Sequence, residues 1–390
     1  MSPKKVILHP GKEKAILQKH HWIFSGAIQS LPSFKNGDFL PVFTSDDRFL
    51  GSGYFNRKSG ITGRMLAFDE TPPKECLERK LKAALIFRDQ WFDKNKTNSF
   101  RLINGEGDGI PGLVIDLYDR TAVLQSSTLG IDRAKQWIVD WLIKEISPVS
   151  IYEKSLSPAR KEEGVEEAQG FLYGEKKNDI FFKENEFSFT AKLDSSQKTG
   201  FFLDHREMRK WIGELALNKT VLNAFCYTGG FSVYALAGGA LSVDSVDISK
   251  EAIEAAKEHA AMNGVEHCKQ EYICADVFDF LRENPLNYQL VILDPPAFAK
   301  KKKDIIAACR GYKEINRMAM KKMPKNSFLL TCSCSYHVNE ELFQKVIFQS
   351  ALEAGRNVRI VGSHRLAADH PINIYHPESH YLKSFLLYLE

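Results

Sequence analysis

Short apolar runs recur through the second half of the chain, separated by stretches with helical spacing. Val221–Ala224, Ser242–Val246, Gln270–Cys274, Leu290–Leu293, Phe328–Leu330, Val358–Val361 and Tyr381–Leu389 read as strands. Between the second and third, Ala252, Ile253, Ala256 and Ala260 share one helical face. Ser249 caps that helix and Asn263-Gly264 stops it. Such alternation predicts a doubly wound, mostly parallel sheet, an α/β domain over residues 186–390.

Upstream the pattern changes. Residues 1–72 read as short strands between tight turns, Phe39–Phe43 and Phe49–Phe55 among them, with one helix near 13–20. A small N-terminal β-barrel is expected there, ending at Thr71-Pro72-Pro73. A helix over 74–94 follows, with Leu77, Leu81, Leu85, Ile86 and Trp91 on roughly one face. Then come the Gly-rich turn and strand Arg101–Asp116, a strand at 122–125, a helix at 132–145 and strands near Ser150 and Phe171. Together they predict a central α+β domain over 73–185. Glu162–Glu167 reads as an exposed acidic turn. The Gly-rich turn lacks the Gly-Lys-Ser/Thr ending of a phosphate loop.

Composition narrows the class. With 390 residues there is room for two or three domains, and 44% hydrophobic with 26% charged residues is ordinary for a globular chain. No run approaches the ~20 apolar residues of a membrane span, so no membrane partner is expected. No signal peptide follows Met1–Lys5. Seven scattered cysteines do not form a disulfide framework, and a reducing cytoplasm is the expected setting. Residues 1–70 hold ten Lys/Arg against six Asp/Glu, the whole of the formal +4 charge. That excess fits a nucleic-acid-facing module, although a solvated surface looks the same.

The chemistry gathers at strand ends, where open α/β sheets bind ligands. Asn223-Ala224-Phe225-Cys226-Tyr227-Thr228-Gly229-Gly230 turns from the first strand into a helix, and its glycines let backbone approach a ligand. It is not the dinucleotide fingerprint. Asp247, followed by Ile248, ends the second strand, placed to bind ribose hydroxyls. Asp276 follows the third, near an adenine amine. Asp294-Pro295-Pro296 closes the Leu290 run, and Thr331-Cys332-Ser333-Cys334-Ser335 closes the Phe328 run. A carboxylate that holds a pyrimidine edge beside a thiol that attacks the ring is what carbon-5 methylation of cytosine requires. Cys332 and Cys334 lie two apart, so strand geometry does not choose between them. A Cys-x-Cys metal site would need a second ligand pair with zinc spacing, and none is present, so no metal is expected.

These motifs, in this order, resemble those of class I S-adenosylmethionine-dependent methyltransferases. Gln197–Arg206, Arg101–Asp116 and Thr331–Ser335 resemble one branch, the bacterial 23S ribosomal RNA cytosine-5 methyltransferases. His9–Glu13 with His21–Ser25 is similar to that branch's PUA domain, an RNA-binding barrel, although proline is common where His21 stands. The resemblance covers nearly the full length. It implies S-adenosylmethionine as cofactor, held by Phe202, Arg206, Asn223, Phe225, Tyr227, Thr228, Gly229, Asp247, Ile248, Asp276 and Asp294, with Arg206 on the methionine carboxylate. It implies Cys334 as nucleophile with Asp294 holding the base, and Pro295, Pro296, Lys300 and Lys301 against the RNA. The second cysteine that a related branch carries after Pro-Pro is replaced by Ala297. Ribosomal RNA, 23S by resemblance, is the expected partner, and a homodimer is left open. Two rival readings stand: a same-fold enzyme acting on a purine nitrogen such as guanine N7, which needs no thiol, and an RNA-binding assembly protein without catalysis.

Overall fold

The central apolar runs after Thr220 become adjacent strands because they are buried on both faces, whereas the edge strands Gln270–Cys274 and Val358–His364 are only partly buried. Val221, Val243, Leu290 and Ile292 face one core with Met208, Ile212 and Phe231. Leu222, Val246, Val291 and Leu293 face another with Tyr312, Ile315 and Phe343. Neighbouring side chains on a strand point to opposite faces, so strands covered on both sides read as continuous apolar runs.

The computed structural model describes residues 4–196, 198–299, 301–364 and 366–390. Its contacts divide the chain into two units. One comprises Met1–Glu186, Ala191–Leu203 and Ala368–Ser379; the other comprises Phe187–Thr190, Asp204–Ala367 and His380–Glu390.

In the second unit a seven-stranded sheet runs in the order Gln270–Cys274, Ser242–Asp247, Thr220–Ala224, Leu290–Leu293, Ser327–Ser333, Lys383–Leu389, Val358–His364. The first five pair in parallel. The last two are antiparallel, Lys383–Leu389 inserting between Ser327–Ser333 and Val358–His364. Strand order reverses between Thr220–Ala224 and Leu290–Leu293, and a crevice forms at the carboxyl ends of such a switch point. Register matches Ala224 with Leu293 and Leu293 with Thr331. The residues that follow these three strands therefore emerge at one level.

The first unit holds two larger sheets. Six strands between Val6 and Ala67 enclose Val6, Leu8, Ile23, Leu40, Val42, Phe55 and Met65. Five strands between Ser99 and Gly174 pack under the helices Pro73–Trp91 and Leu129–Ile146. Two expectations are corrected here. The buried face of Pro73–Trp91 carries Leu77, Leu81, Ala84 and Arg88, whereas Ile86 is 47% and Trp91 58% exposed. Positions 77, 81, 84 and 88 keep the helical stripe; Ile86 lies on the opposite face, and Trp91, on the stripe by spacing, is the last residue of the helix. In the acidic turn, Glu163 is buried, paired with Arg64 at 2.7 Å and accepting from Asn56 Nδ2 at 2.8 Å.

The Gly-rich turn has a structural use. Asp108 takes Arg88 in two hydrogen bonds of 2.6 and 2.8 Å, and Arg88 also donates to the carbonyls of Arg101 and Asp369. Asn104 Nδ2 donates to Pro371 O, and a Cβ on Gly107 would stand 2.0 Å from that oxygen. Glycine there admits the Ala368–Ser379 segment, which arrives from the far end of the sequence. Truncating Arg88 would leave Asp108 buried and uncompensated. Arg88→Met should therefore destabilise the protein by about 3–5 kcal/mol in urea unfolding, and adding Asp108→Leu should recover part of the loss. A neutral Arg88→Met would refute this account of the clasp.

Candidate functional site

The turn after Thr220–Ala224 is strained. Phe225 (φ +61°) and Tyr227 (φ +47°) are left-handed, as is Gly229 (φ +74°). Each non-glycine residue there costs about 1–2 kcal/mol, and such strain persists only where surroundings hold it. Here Cys226 N donates to Val246 O at 3.0 Å and Tyr227 N to Asp247 Oδ2 at 2.8 Å. Asp247 Oδ1 accepts from Ser249 N at 3.0 Å. Asp247 thus shapes the turn and keeps further lone pairs on a half-buried carboxylate. Ile248 beside it is 70% exposed, an apolar surface open to a ring.

Behind the turn, Asn223 is fully buried and donates to Ser232 Oγ at 2.9 Å, which bonds Ser245 Oγ. Among the described residues, Asn223 Oδ1 and Thr228 Oγ1 are buried without a hydrogen-bond partner, leaving polar capacity at the turn. Asp276 is exposed and caps the helix Val277–Glu283, accepting from Phe278 N and Asp279 N. Gly229 has a packing reason as well: a Cβ there would meet Ala256 Cβ at 2.7 Å, and its φ is positive. His259, which the sequence did not flag, pins the turn. Its Nδ1 donates to Thr228 O at 2.7 Å and Nε2 accepts from Thr190 N at 3.0 Å, while burial lowers its pKa.

At the next two strand ends the carboxylate and the thiols come together. Asp294 Oδ2 lies 3.4 Å from His205 Nε2. The strand Ser327–Ser333 ends between the two cysteines. Cys332 stays in the core, fully buried, and burial followed by the Asp294 charge pushes its thiol well above the usual range. Cys334 lies past the strand, partly exposed, its Sγ 3.9 Å from Pro295 O. Buried Ser335 ties this strand to the Asp-Pro-Pro loop, accepting from Ala299 N at 3.1 Å and bonding Tyr312 Oη at 2.8 Å. Lys383 closes the group, donating to Ser335 O at 2.7 Å and Tyr381 O at 2.6 Å. Lys383 carries no sequence signal, since Ser335 lies 48 residues before it, and the structural use of Ser335 depends on partners 23 to 48 residues away.

The remaining expected residues are distributed. Pro295 is buried and Pro296 exposed. Lys301 is exposed and its N–H donates to Asp304 Oδ2, while Lys300 and Gln197 lie outside the described residues. Arg206 is buried at the start of its helix in the second unit. Phe202 belongs to the first unit, with the Lys198 ammonium 4.4 Å from its ring centre. The first unit also has a cavity of about 410 Å³ bordered by Lys19, His21, Lys80, Asn373 and Tyr375. Burial, then Lys80, brings His21 down to about 3, so its ring is neutral. Among the described residues two groups bring potential metal ligands within 4.8 Å: His20 with His376 and Glu378, and His205 with Asp294 and Cys332. In the first, His20 Nδ1 accepts from Trp22 N, which places the proton on Nε2 facing Glu378. In the second, Cys332 is held as a thiol, whereas metals bind the thiolate.

Comparison with known proteins gives two family matches. Residues 160–354 match an S-adenosylmethionine-dependent methyltransferase family, and residues 6–68 match a PUA-like domain. Curated relatives align end to end. Ribosomal RNA large subunit methyltransferase I of Alteromonas mediterranea is 41% identical over 98% of both chains, and that of Pseudoalteromonas atlantica 39% over the same share. A solved S-adenosylmethionine-dependent methyltransferase from Streptococcus mutans superposes with TM-score 0.84 at 24% identity, over 98% of this chain and 99% of that one. A methyltransferase solved with S-adenosylhomocysteine gives 0.85 at 23%, with the same coverage. The solved structures bear on fold alone.

The Gly229 contact predicts its own test. Gly229→Ala should destabilise the protein by about 1–3 kcal/mol in chemical unfolding, through both φ and the Ala256 clash. Adding Ala256→Gly should relieve only the clash. Full recovery in the double variant would show that φ contributes nothing.

Proposed function

We propose that this chain, which belongs to the S-adenosylmethionine-dependent methyltransferase family, methylates carbon 5 of a cytosine in 23S ribosomal RNA, in the cytoplasm, with Cys334 as nucleophile. The observation that carries the reading is the partly exposed Cys334 thiol, its Sγ 3.9 Å from Pro295 O in the loop that begins at Asp294, at the ends of adjacent parallel strands. Support for the RNA comes from the relatives, which are named as ribosomal RNA large subunit methyltransferases, and from the PUA-like match. Residues 1–72 would contact RNA, residues 73–185 would form the central domain and 186–390 would hold cofactor and chemistry.

The donor set suits the cofactor. Asp247 offers paired acceptors to ribose hydroxyls, Ile248 an apolar face to adenine, and Asp276 an acceptor to its amine. The strained turn Phe225–Gly229, with Thr228 Oγ1 unspent, faces the same edge, and Arg206 offers a cation for a carboxylate. Asn223 acts by supporting the turn from behind. Bound S-adenosylmethionine supplies the electrophilic methyl group that carbon 5 takes.

Cys334 does the activation. Its thiolate adds to carbon 6, and the electron pair of the 5,6 double bond moves to carbon 5, making that carbon nucleophilic. Asp294 accepts from the exocyclic amine or, protonated, donates to ring N3. After methylation a base removes the carbon-5 proton, the electron pair returns to the 5,6 bond, and the thiolate leaves. Ala297 means that product leaves without a second cysteine at that position. The target base has to be unstacked to reach this edge. A purine-nitrogen enzyme would have no use for a partly exposed thiol here.

Cys334→Ala should abolish methylation while retaining cofactor and RNA binding. Cys332→Ala should keep substantial activity with some loss of stability from the cavity it leaves. RNA bearing 5-fluorocytosine should trap a covalent adduct in the presence of cofactor, absent in Cys334→Ala. Methylation by Cys334→Ala would sink the mechanism.

Asp247→Ala removes charge-assisted hydrogen bonds worth about 1.5–3 kcal/mol, so S-adenosylhomocysteine affinity should fall roughly tenfold to a hundredfold by calorimetry. An unchanged affinity in the folded variant would remove Asp247 from the cofactor site.

A further inference from the structure

The strand end that delivers the proposed nucleophile is acidic: the charges of Asp294 and Asp204 act on Cys332, and that of Glu340 acts on Lys383. Asp294 follows the neighbouring strand, Glu340 begins the helix Glu340–Ala354, and Asp204 precedes the helix Arg206–Leu215, accepting from Tyr381 Oη at 2.6 Å. His205 is paired with Asp294, and Tyr312, pushed up to about 12 mainly by burial, is neutral. Carboxylates near a thiol disfavour the thiolate. A free thiol already has pKa ~8.5, so an attacking cysteine in this setting needs a nearby cation.

Lys383 is placed to be that cation. It lies opposite Ser333 in the antiparallel pairing of the last strand, on the strand that delivers Cys334. The residue is buried, 3% exposed. Its ammonium is held by the Ser335 carbonyl, one residue past Cys334, and by Tyr381 O. Carbonyl oxygens orient an ammonium without neutralising it, so the charge remains for Cys334. Burial lowers Lys383 to about 8, and the charges of Cys334 and then Glu340 act the other way. A group titrating near 8 stays mostly protonated at pH 7, and low local dielectric strengthens its pull on a neighbouring anion.

We propose that Lys383 is a positioning residue for this reaction, its buried ammonium holding Cys334 as the thiolate at this acidic strand end. The inference rests on the proposed function for its purpose, but its test reads the thiol directly. Lysine replaced by methionine keeps the stem and removes the charge.

The rate at which iodoacetamide alkylates Cys334 is followed against pH in the full-length protein, by mass spectrometry of the Cys334 peptide. Exposed Cys274 in the same unit serves as the internal control. In the wild type, reactivity should reach half its maximum about one unit or more below the ~8.5 of a free thiol. In Lys383→Met that midpoint should rise, and alkylation at pH 7 should slow on the order of tenfold. Lys383→Arg should stay near wild type, and the Cys274 profile should not move in either variant. An unmoved Cys334 profile in folded Lys383→Met overturns the proposal. So does a wild-type midpoint at or above the free-thiol value, a result that needs no variant to fold. If instead the Cys334 profile shifts as expected while Cys334→Ala still methylates RNA, Lys383 is assigned correctly and only the cytosine-5 mechanism fails.

Discussion

The parallel pairing of Leu290–Leu293 with Ser327–Ser333 is the constraint on which the site depends. Its register sets Leu293 beside Thr331, so Asp294 leaves one strand as Cys332 passes on the next. A one-residue slip would exchange core and edge on the second strand, because side chains alternate faces. The pairing is fixed from both sides: Thr220–Ala224 flanks it in parallel and Lys383–Leu389 flanks it antiparallel. Ser335 then pins the segment beyond the strand to the Asp-Pro-Pro loop, through Ala299 N and Tyr312 Oη.

Two cysteines of similar sequence context end in different physical states for that reason. Cys332 is inside the strand and packed with Leu330, Leu386 and Met208, so its environment favours the neutral thiol. Cys334 is one step past the last ladder residue, where the thiol meets both the crevice and Pro295 O. A buried inert thiol and an accessible one are thus separated by where the strand stops. The proposed chemistry uses that difference, and the proposed part for Lys383 supplies the charge that the acidic surroundings lack.

Much of this architecture is readable in the sequence, because the central parallel strands are buried on both faces and show as apolar runs ending at Ala224, Asp247, Leu293 and Ser333. The family motifs at those ends were readable for the same reason. What could not be read depends on partners remote in the chain. Lys383 looks like an ordinary surface lysine until its strand inserts beside Ser327–Ser333, and His259 looks like a helix residue until Thr228 and Thr190 close on it. The Gly-rich turn gave a turn but not its partner, since Pro371 arrives from the other end of the sequence. Ile86 lies on the exposed face of its helix and Trp91 is its last residue, so neither joins the core, and the burial of Arg88 depends on Asp108.

The central claim is that the strand-end thiol and carboxylate direct methylation to carbon 5 of cytosine. Nucleoside mass spectrometry of 23S ribosomal RNA, from cells lacking the gene and treated with the purified protein and S-adenosylmethionine, tests it most directly. The account predicts new 5-methylcytidine formed by the wild-type protein and not by the Cys334 variant. A methylated purine appearing in place of 5-methylcytidine would contradict it.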